Sequence, residues 1–551
     1  MPAISFSYKD FQDLLGKKLP VSEFGELLTL YAKGEVDGYD KKTGEVKVDF
    51  DDTNLPYLWS VEGLARLFRG VFKTHLGIPE LKINRGNYRI VVDPSVKKVR
   101  PFISSFVFKG KPITGYFLKQ LIQLQEKLDE SYGRKRKKVS IGLYSYKRIN
   151  FPIHYTTKAP DEIKFVPLEF SKALTPAEIL EQHPKGREYG GILKGVNRYP
   201  ILIDNKKNVL SLPPIINSNF TGKVETGDTD LLFEVTGTDE KAIYLATNIF
   251  AQALYDRGYK IYSVNIDYGS KKVRTPYIFN EKIRINRDQI KQLTGLDIKT
   301  SDVKQLLMKA GYEFKNYVVS IPPYRADILH QFDIIEDIAI MYGFDNIESA
   351  PLESYTIGSA TEMNRFADKA REIAIGLGFQ EILSPILSNK VVMEEKMETF
   401  GTGLVEIENI MSDTFSVIRS WLTPVMMEVL SKNKHRDFPQ RVFEQGLVNI
   451  RKGNRIVGME VLALAISHTK TDFTEIKQCL DAVMGSFGVN YSLEASDLKA
   501  FIDGRGAKIK AYGKEIGIIG EISPKVLVNW ELEMPVSVLE IDLTEIKNII
   551  S

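Results

Sequence analysis

The chain has 551 residues, 43% hydrophobic and 26% charged, an ordinary globular composition that excludes a disordered or fibrous class. Its 74 Lys and Arg against 71 Asp and Glu leave a net charge of +3, so any nucleic-acid contact is local rather than spread over the surface. The single cysteine, Cys479, excludes an intrachain disulfide and suits a reducing compartment. With no apolar signal-peptide core and no apolar run of membrane length, a cytoplasmic protein without membrane contact is expected, in about three to five domains.

The opening segment "FQDLLGKKLPVSEFGELL" aligns without a gap to "IKQLTGLDIKTSDVKQLL" far downstream. Leu14 meets Leu293, Gly16 meets Gly295, Leu19 meets Ile298, Ser22 meets Ser301, and Leu27 and Leu28 meet Leu306 and Leu307. Both copies read as a short helix stopped by glycine at C′ and a second helix capped by serine, with apolar residues three and four apart. A β-type stretch follows in each, "EVKVDF" or "YVVSIP", and then a third helix, "WSVEGLARLF" or "DIIEDIAIMY". The predicted organisation is one helix-turn-helix-like, winged-helix-like module used twice, over residues 1–82 and 273–352.

Between the copies, in residues 83–272, "YRIVVD", "PFISSFVFKG", "KKVSIGLYSY", "IKFVPLEF", "YPILIDN" and "TDLLFEVTGT" read as strands. "GYFLKQLIQLQEKLDESYG" and "DEKAIYLATNIFAQALYDRG" read as amphipathic helices, which gives a central mixed α+β domain. Within it "GRKRKK", with Arg134, Lys135, Arg136, Lys137 and Lys138, is the densest positive charge of the chain. It reads as a solvated loop or as a phosphate-binding cluster that works by counterion release. Residues 353–551 begin with the helix "EMNRFADKAREIAIGLG", stopped by Gly378, and continue through "VIRSWLTPVMMEVLSKNKHR" and "RVFEQGLVNI". Strands near "VLALAIS", "AKIKAYG", "EIGIIGEIS" and "SVLEIDL" follow, so helices packed on an antiparallel sheet are expected and the whole chain reads as α+β multidomain.

One short stretch, "RADILHQFDIIEDIAIMYGFDN", gathers Asp327, Asp333, Glu336 and Asp337 among apolar residues. Asp327 is placed to cap a helix, and acids in a first turn are favoured by the helix dipole at about 0.3–1 kcal/mol each. Asp333, Glu336 and Asp337 stand at i, i+3 and i+4 on one face, where like charges repel by about 0.2–0.5 kcal/mol per pair. Two readings stay open: a solvated acidic face, or a hard cation with oxygen ligands, Mg²⁺ first, that relieves the repulsion. Aligning the third helices on Glu62 and Glu336 places Thr53, Trp59 and Gly63 opposite Asp327, Asp333 and Asp337. The first copy then keeps one carboxylate of the four, and a cluster that one copy dispenses with is not expected to be needed for the fold.

The segment "PPYRADILHQFDIIEDIAIMYGFDNI" resembles the signature of the phenylalanyl-tRNA synthetase β subunit in its archaeal and eukaryotic form, and length, domain order and repeat extend the resemblance over essentially the whole chain. The resemblance implies Mg²⁺ at Asp327, Asp333, Glu336 and Asp337, in a site shared with the α subunit and completed by waters or partner groups. It also implies an α2β2 heterotetramer, tRNA(Phe) as a partner, and ATP as a substrate of the complex. "KVSIGLYSYKRINFPIHY", "IKFVPLEF" and "LSLPPIINSNFTG" are similar to the family's editing domain. An apolar pocket shaped for phenylalanine rejects one added hydroxyl by only about a hundredfold, so a second site that hydrolyses tyrosyl-tRNA(Phe) supplies the missing accuracy. By resemblance Leu202, Ser211, Asn217, Glu234 and Thr236 line that pocket, with Asn217, Glu234 or Thr236 holding the tyrosine hydroxyl or orienting the attacking water. No nucleophilic constellation assembles from six histidines and one cysteine, so positioned water is expected to attack, and His154 and His183 read as structural.

The last two hundred residues are similar to the class II synthetase catalytic fold but lack the arginines that hold ATP phosphates there. "RVFEQG" keeps Phe443 and Glu444 without the expected Phe-Arg pairing, and neither "DGRGAKI" nor "GEISPKV" supplies the second arginine. The domain therefore reads as a catalytic-like module without activity that packs on the α subunit, with "RSWLTPVMMEVLSKNKHR" either a contact helix or a core helix. The expected function is the β subunit of phenylalanine-tRNA ligase, supporting charging at the α-subunit site and clearing tyrosyl-tRNA(Phe). One alternative is a freestanding nucleic-acid-binding regulatory protein, for which "TSDVKQLLMKAG" offers only Lys304 and Lys309 against Asp302. Another is an active single-chain ligase, against which the missing arginines count.

Overall fold

Each half of the internal repeat folds into the same six elements. In the computed structural model, which describes residues 2–352 and 354–550, the first copy runs through strand Ala3–Ser7, helices Tyr8–Leu15 and Val21–Ala32, strands Gly34–Asp40 and Glu45–Phe50, and helix Val61–Val71. The second runs through Lys282–Arg284, Arg287–Thr294, Thr300–Lys309, Glu313–Lys315, Val318–Ser320 and Gln331–Tyr342. Both three-stranded sheets place the third strand between the first and second. Gly16 and Gly295 end the first helices in the left-handed region, φ 75° and 74°, where a side chain is disfavoured. Neither serine caps a second helix: Pro20 and Lys299 stand at those caps, and Ser22 and Ser301 lie inside the first turns.

The third helices start at Val61 and Gln331, which moves the alignment by one turn. Tyr57, Gly63, Arg66 and Leu67 then stand opposite Asp327, Asp333, Glu336 and Asp337, and the first copy keeps none of the four acids. Glu62 is buried and pairs with Arg257 at the end of the long central helix Glu240–Asp256. The two copies pack reciprocally, Thr300–Lys309 on Val61–Val71 and Gln331–Tyr342 on Val21–Ala32, the pattern of a two-fold interface within one chain. A Cβ on Gly70 would fall 2.0 Å from the Lys309 carbonyl oxygen, so only glycine permits this approach.

The central domain is one ten-stranded mixed sheet whose main path runs from Ile216–Asn217 through 209–212, 199–203, 153–158, 83–92, 260–267, 102–109 and 230–237 to Val139–Ser145. Strand Lys272–Thr275 pairs beside the path on Lys260–Asp267. The helix Glu240–Asp256 packs under Phe102–Lys109 and Asp230–Gly237. "IKFVPLEF" is not a strand; it makes only single bridges, Phe165 with Leu174 and Pro167 with Ser218, because it crosses near the sheet edge without entering the ladder.

These elements belong to the first of two compact units, Met1–Pro351 and Leu352–Ser551. The second unit is built on a seven-stranded sheet, antiparallel except where Gln380–Glu381 runs parallel to Gln440–Lys452, with a small three-stranded sheet, Leu387–Ser388, Val417–Ile418 and Val405–Glu406, beside it in the chain. One face packs on helices Glu362–Gly376, Phe473–Ser486 and Leu543–Ile550, and the other carries Thr423–Lys432 and Pro524–Asn529. Of the two readings of "RSWLTPVMMEVLSKNKHR", the core one holds: Val425, Met426, Met427 and Leu430 are buried within this unit. No helix among the described residues is long and apolar enough to cross a membrane.

Candidate active site

A cavity of about 290 Å³ opens at the edge of the central sheet, between the strand Val139–Ser145 and the turn at Pro213 and Pro214. Ser211, Asn217, Glu234 and Thr236 line it. Leu202 does not; it is buried in the apolar core, paired across the strands with Ser211. Sequence reasoning missed Tyr144, whose hydroxyl lies 2.9 Å from Glu234 Oε2, 3.0 Å from Ser211 Oγ and 3.3 Å from Asn217 Oδ1. The signal was the strand period: in "SIGLY", alternation places Ser140, Gly142 and Tyr144 on one face, and the ladder sets Glu234 against Gly142.

Glu234 is 3% exposed, and its Oε1 has no hydrogen-bond partner of good geometry. Burial pushes its carboxyl up to about 8, while the Tyr144 bond, the Arg100 charge and nearby Thr236 pull it down and Asp129 adds to the rise. Arg100 is buried and committed elsewhere, with Nε donating to Thr236 Oγ1 at 2.9 Å and Nη2 to the Thr236 carbonyl at 2.8 Å. Asp129, buried beneath the cavity wall, is likewise raised by burial to about 7. The arrangement is a dry wall with one carboxylate oxygen left open to whatever donor enters.

The four acids of the second copy face a small pocket of about 50 Å³ against the first copy, lined also by Lys33, Asp52 and Arg325. Arg325 is buried between the rings of Tyr57 and Tyr312, each 5.1 Å away. It pairs with Asp337 at 2.7 Å and with both oxygens of Asp327. Asp337 also accepts from Tyr312, and burial raises its carboxyl. Asp333 rather than Asp327 does the capping, accepting from the Leu329 and His330 amides at 2.7 Å each. Glu336 takes Lys33 of the first copy at 2.7 Å. The expectation that the fold can do without this cluster is therefore corrected: its partners are a buried guanidinium and a cation from the other copy, not a matching set of acids. The donor types fit a hard cation, with carboxylates outnumbering cations in the pocket. Their places are taken by Arg325 and Lys33, and no three His, Cys, Asp or Glu side chains among the described residues are arranged to hold a metal.

Comparison with known proteins settles the lineage. Residues 283–344 match the tRNA synthetase B5 domain, and 347–543 the phenylalanyl tRNA synthetase beta chain CLM domain. The phenylalanine–tRNA ligase beta subunit of Thermococcus onnurineus is 39% identical over 565 residues, covering 98% of each chain. The chain belongs to the phenylalanine–tRNA ligase β-subunit family. The Archaeoglobus fulgidus member is 40% identical over 89% of this chain and 90% of its own. The crystal structure of an N-terminal fragment of the phenylalanyl-tRNA synthetase beta subunit from Pyrococcus horikoshii superposes with a TM-score of 0.60 at 37% identity, covering 62% of this chain and 99% of that one. A freestanding regulatory protein is not favoured by these relatives.

In this β-subunit family member the basic run divides. Arg134, Lys135 and Lys137 are exposed. Arg136 turns inward: its guanidinium donates to the Ile215 carbonyl at 2.9 Å, stacks over Tyr189 at 4.3 Å and lies 3.5 Å from Asp129. Lys138 pairs with Asp239 at 3.3 Å. His183 caps the helix Pro184–Tyr189 and is buried, a structural role. In the second unit Phe443 is core and Glu444 is buried against Arg419 at 2.6 Å, while Arg505 pairs with Glu521 at 2.7 Å.

Proposed function

We propose that the chain is the β subunit of a phenylalanine–tRNA ligase that supports ATP-dependent charging of tRNA(Phe) at the active site of an α-subunit partner and itself hydrolyses tyrosyl-tRNA(Phe) in the central cavity. The observation that carries the editing reading is Glu234 Oε1, a buried carboxylate oxygen without a partner at a cavity wall. A tyrosine hydroxyl supplies the missing donor and phenylalanine does not, the asymmetry by which sites built for a hydroxyl discriminate. In the hydrolysis a water oxygen bonds to the acyl carbon, the ester bond to the ribose oxygen breaks, and the water's proton passes to that oxygen. Ser211, Asn217 and Thr236 stand with Glu234 and Tyr144 at the hydroxyl end of the cavity, and Leu202 supports Ser211 from the core.

Four functional domains, 1–82, 83–272, 273–352 and 353–551, organise the work: a winged-helix-like module, the editing domain, the second module, and a class II-like module without catalytic arginines. The commitment of Arg419 to Glu444 supports the last assignment. Exposed Leu383, Phe400 and Met411 in that module suit a partner's apolar surface, in a cytoplasmic α2β2 heterotetramer. Arg134, Lys135 and Lys137 would contact tRNA phosphates, with Arg136 and Lys138 holding their loop. Mg²⁺ held by Asp327, Asp333, Glu336 and Asp337, in exchange for the contacts of Lys33 and Arg325, would neutralise the pocket's excess negative charge.

The test is to co-express the chain with a phenylalanyl-tRNA synthetase α subunit and measure phenylalanine charging and ester clearance together. Charging confined to the co-purified complex, with tyrosyl ester cleared faster than phenylalanyl ester, is the expected result. A chain that forms no complex and touches neither ester would sink the proposal.

A further inference from the structure

We propose that Tyr144 is the residue that positions Glu234 to distinguish a tyrosyl from a phenylalanyl ester; the inference rests on the editing reading and names the group that makes it selective. Ser211, Asn217 and Glu234 come from three separate segments, yet their polar atoms converge on one phenolic oxygen, at 3.0, 3.3 and 2.9 Å. That phenol is fully buried and has one proton to give. The Tyr144 proton goes to Glu234 Oε2, the nearest acceptor at 2.9 Å, and the Ser211 hydroxyl donates to the Tyr144 oxygen, which leaves Asn217 Oδ1 at 3.3 Å without that proton.

Little else fixes this carboxylate. Of its two cross-strand neighbours, Ser105 spends its hydroxyl on the Phe233 carbonyl and Gly142 offers no side chain to pack on it; a Cβ at Gly142 would fall 2.8 Å from Oε2 and 2.4 Å from the Tyr144 hydroxyl, and Thr236 stands nearby on the same strand. Arg100 acts on it through space, because its donors are spent on Thr236 and on the Lys137 carbonyl. The Tyr144 bond therefore decides which oxygen is held and which is left over. Oε2 is held, and Oε1 is the buried atom without a partner. An incoming tyrosine hydroxyl meets a fixed acceptor, whereas without Tyr144 the carboxylate turns freely and pays an ordering cost for the same bond.

The experiment uses the complex of the full chain with its α subunit, in wild-type, Y144F, E234Q and Y144F/E234Q forms. Hydrolysis of tyrosyl- and phenylalanyl-tRNA(Phe) is measured over a pH series, with charging by the same preparations as the integrity check. Y144F is expected to lower the tyrosyl-to-phenylalanyl ratio of kcat/KM by about tenfold or more, the size of one hydrogen bond to a charged group. The double variant should be no worse than E234Q, because Tyr144 acts through Glu234. The pH midpoint of tyrosyl clearance should move up in Y144F, since the lost bond favours the ionised carboxylate while Arg100, Asp129, Thr236 and Tyr155 still face it. Equal loss on both esters, additive losses in the double variant, or an unmoved ratio would each overturn the assignment. A wild-type complex that clears neither ester would overturn the editing reading itself, and the role of Tyr144 with it, before any variant is compared.

Discussion

The central cavity and the acidic pocket between the repeat copies are both lined by carboxylates, and they differ in what is left unsatisfied. In the acidic pocket Arg325, Tyr312, Lys33 and two backbone amides answer all four acids. In the cavity Glu234 keeps one oxygen without a partner although it is only 3% exposed, against 51% for the Glu336 side chain. Charge clustering alone thus says little about function. A filled cluster binds two parts of a chain together and takes a ligand only by exchange, whereas an unfilled one holds an acceptor ready for it.

Breaking the filled cluster should give the largest effect. Arg325→Met strands buried Asp327 and Asp337 and should lower unfolding stability by about 3–5 kcal/mol in denaturant titration; a loss near that of a surface pair would mean the cluster is not a lock. Glu234→Gln removes the ionisable acceptor instead and, measured above about pH 8 where that carboxyl has lost its proton, should cut tyrosyl-ester clearance roughly 10- to 150-fold, the equivalent of about 1.5–3 kcal/mol for a charged hydrogen bond, with little loss of fold. The same substitution sharpens the contrast through pH. Because the folded Glu234 carboxyl, at about 8, lies above its ordinary 4.5, the folded chain holds a proton that the unfolded chain releases. That contribution is complete below about pH 4.5 and is lost as pH rises toward 8, so the stability of Glu234→Gln should fall less steeply across this window.

Smaller effects follow on the surface. Replacing Arg134, Lys135 and Lys137 together by alanine should leave ester discrimination intact and flatten the salt dependence of tRNA binding by about 2 in log–log slope; an unchanged slope would place the tRNA elsewhere. Lys33→Ala, which removes a half-exposed partner of Glu336 and Asp52, should cost no more than about 1 kcal/mol.

What the sequence by itself determined is what depends on short-range pattern. The gapless match of Gly16 to Gly295 announced the duplicated unit, because a glycine that ends a helix is needed at one backbone position and nowhere near it. An apolar run bounded by turn residues announced the strand that carries Glu234 and Thr236, and the signature segment carried the family. What only the tertiary structure decided is how distant segments face one another. Arg136 sits among exposed cations in the chain but folds onto the Ile215 carbonyl. Nothing in the sequence shows that Asp327 and Asp337 share Arg325, which the fold seats between two tyrosine rings. Tyr144 looks like any strand tyrosine until the ladder puts Gly142 against Glu234 and leaves room for its hydroxyl. Local propensity acts over a few residues, whereas the fate of a buried charge is settled by the partner that the fold brings to it.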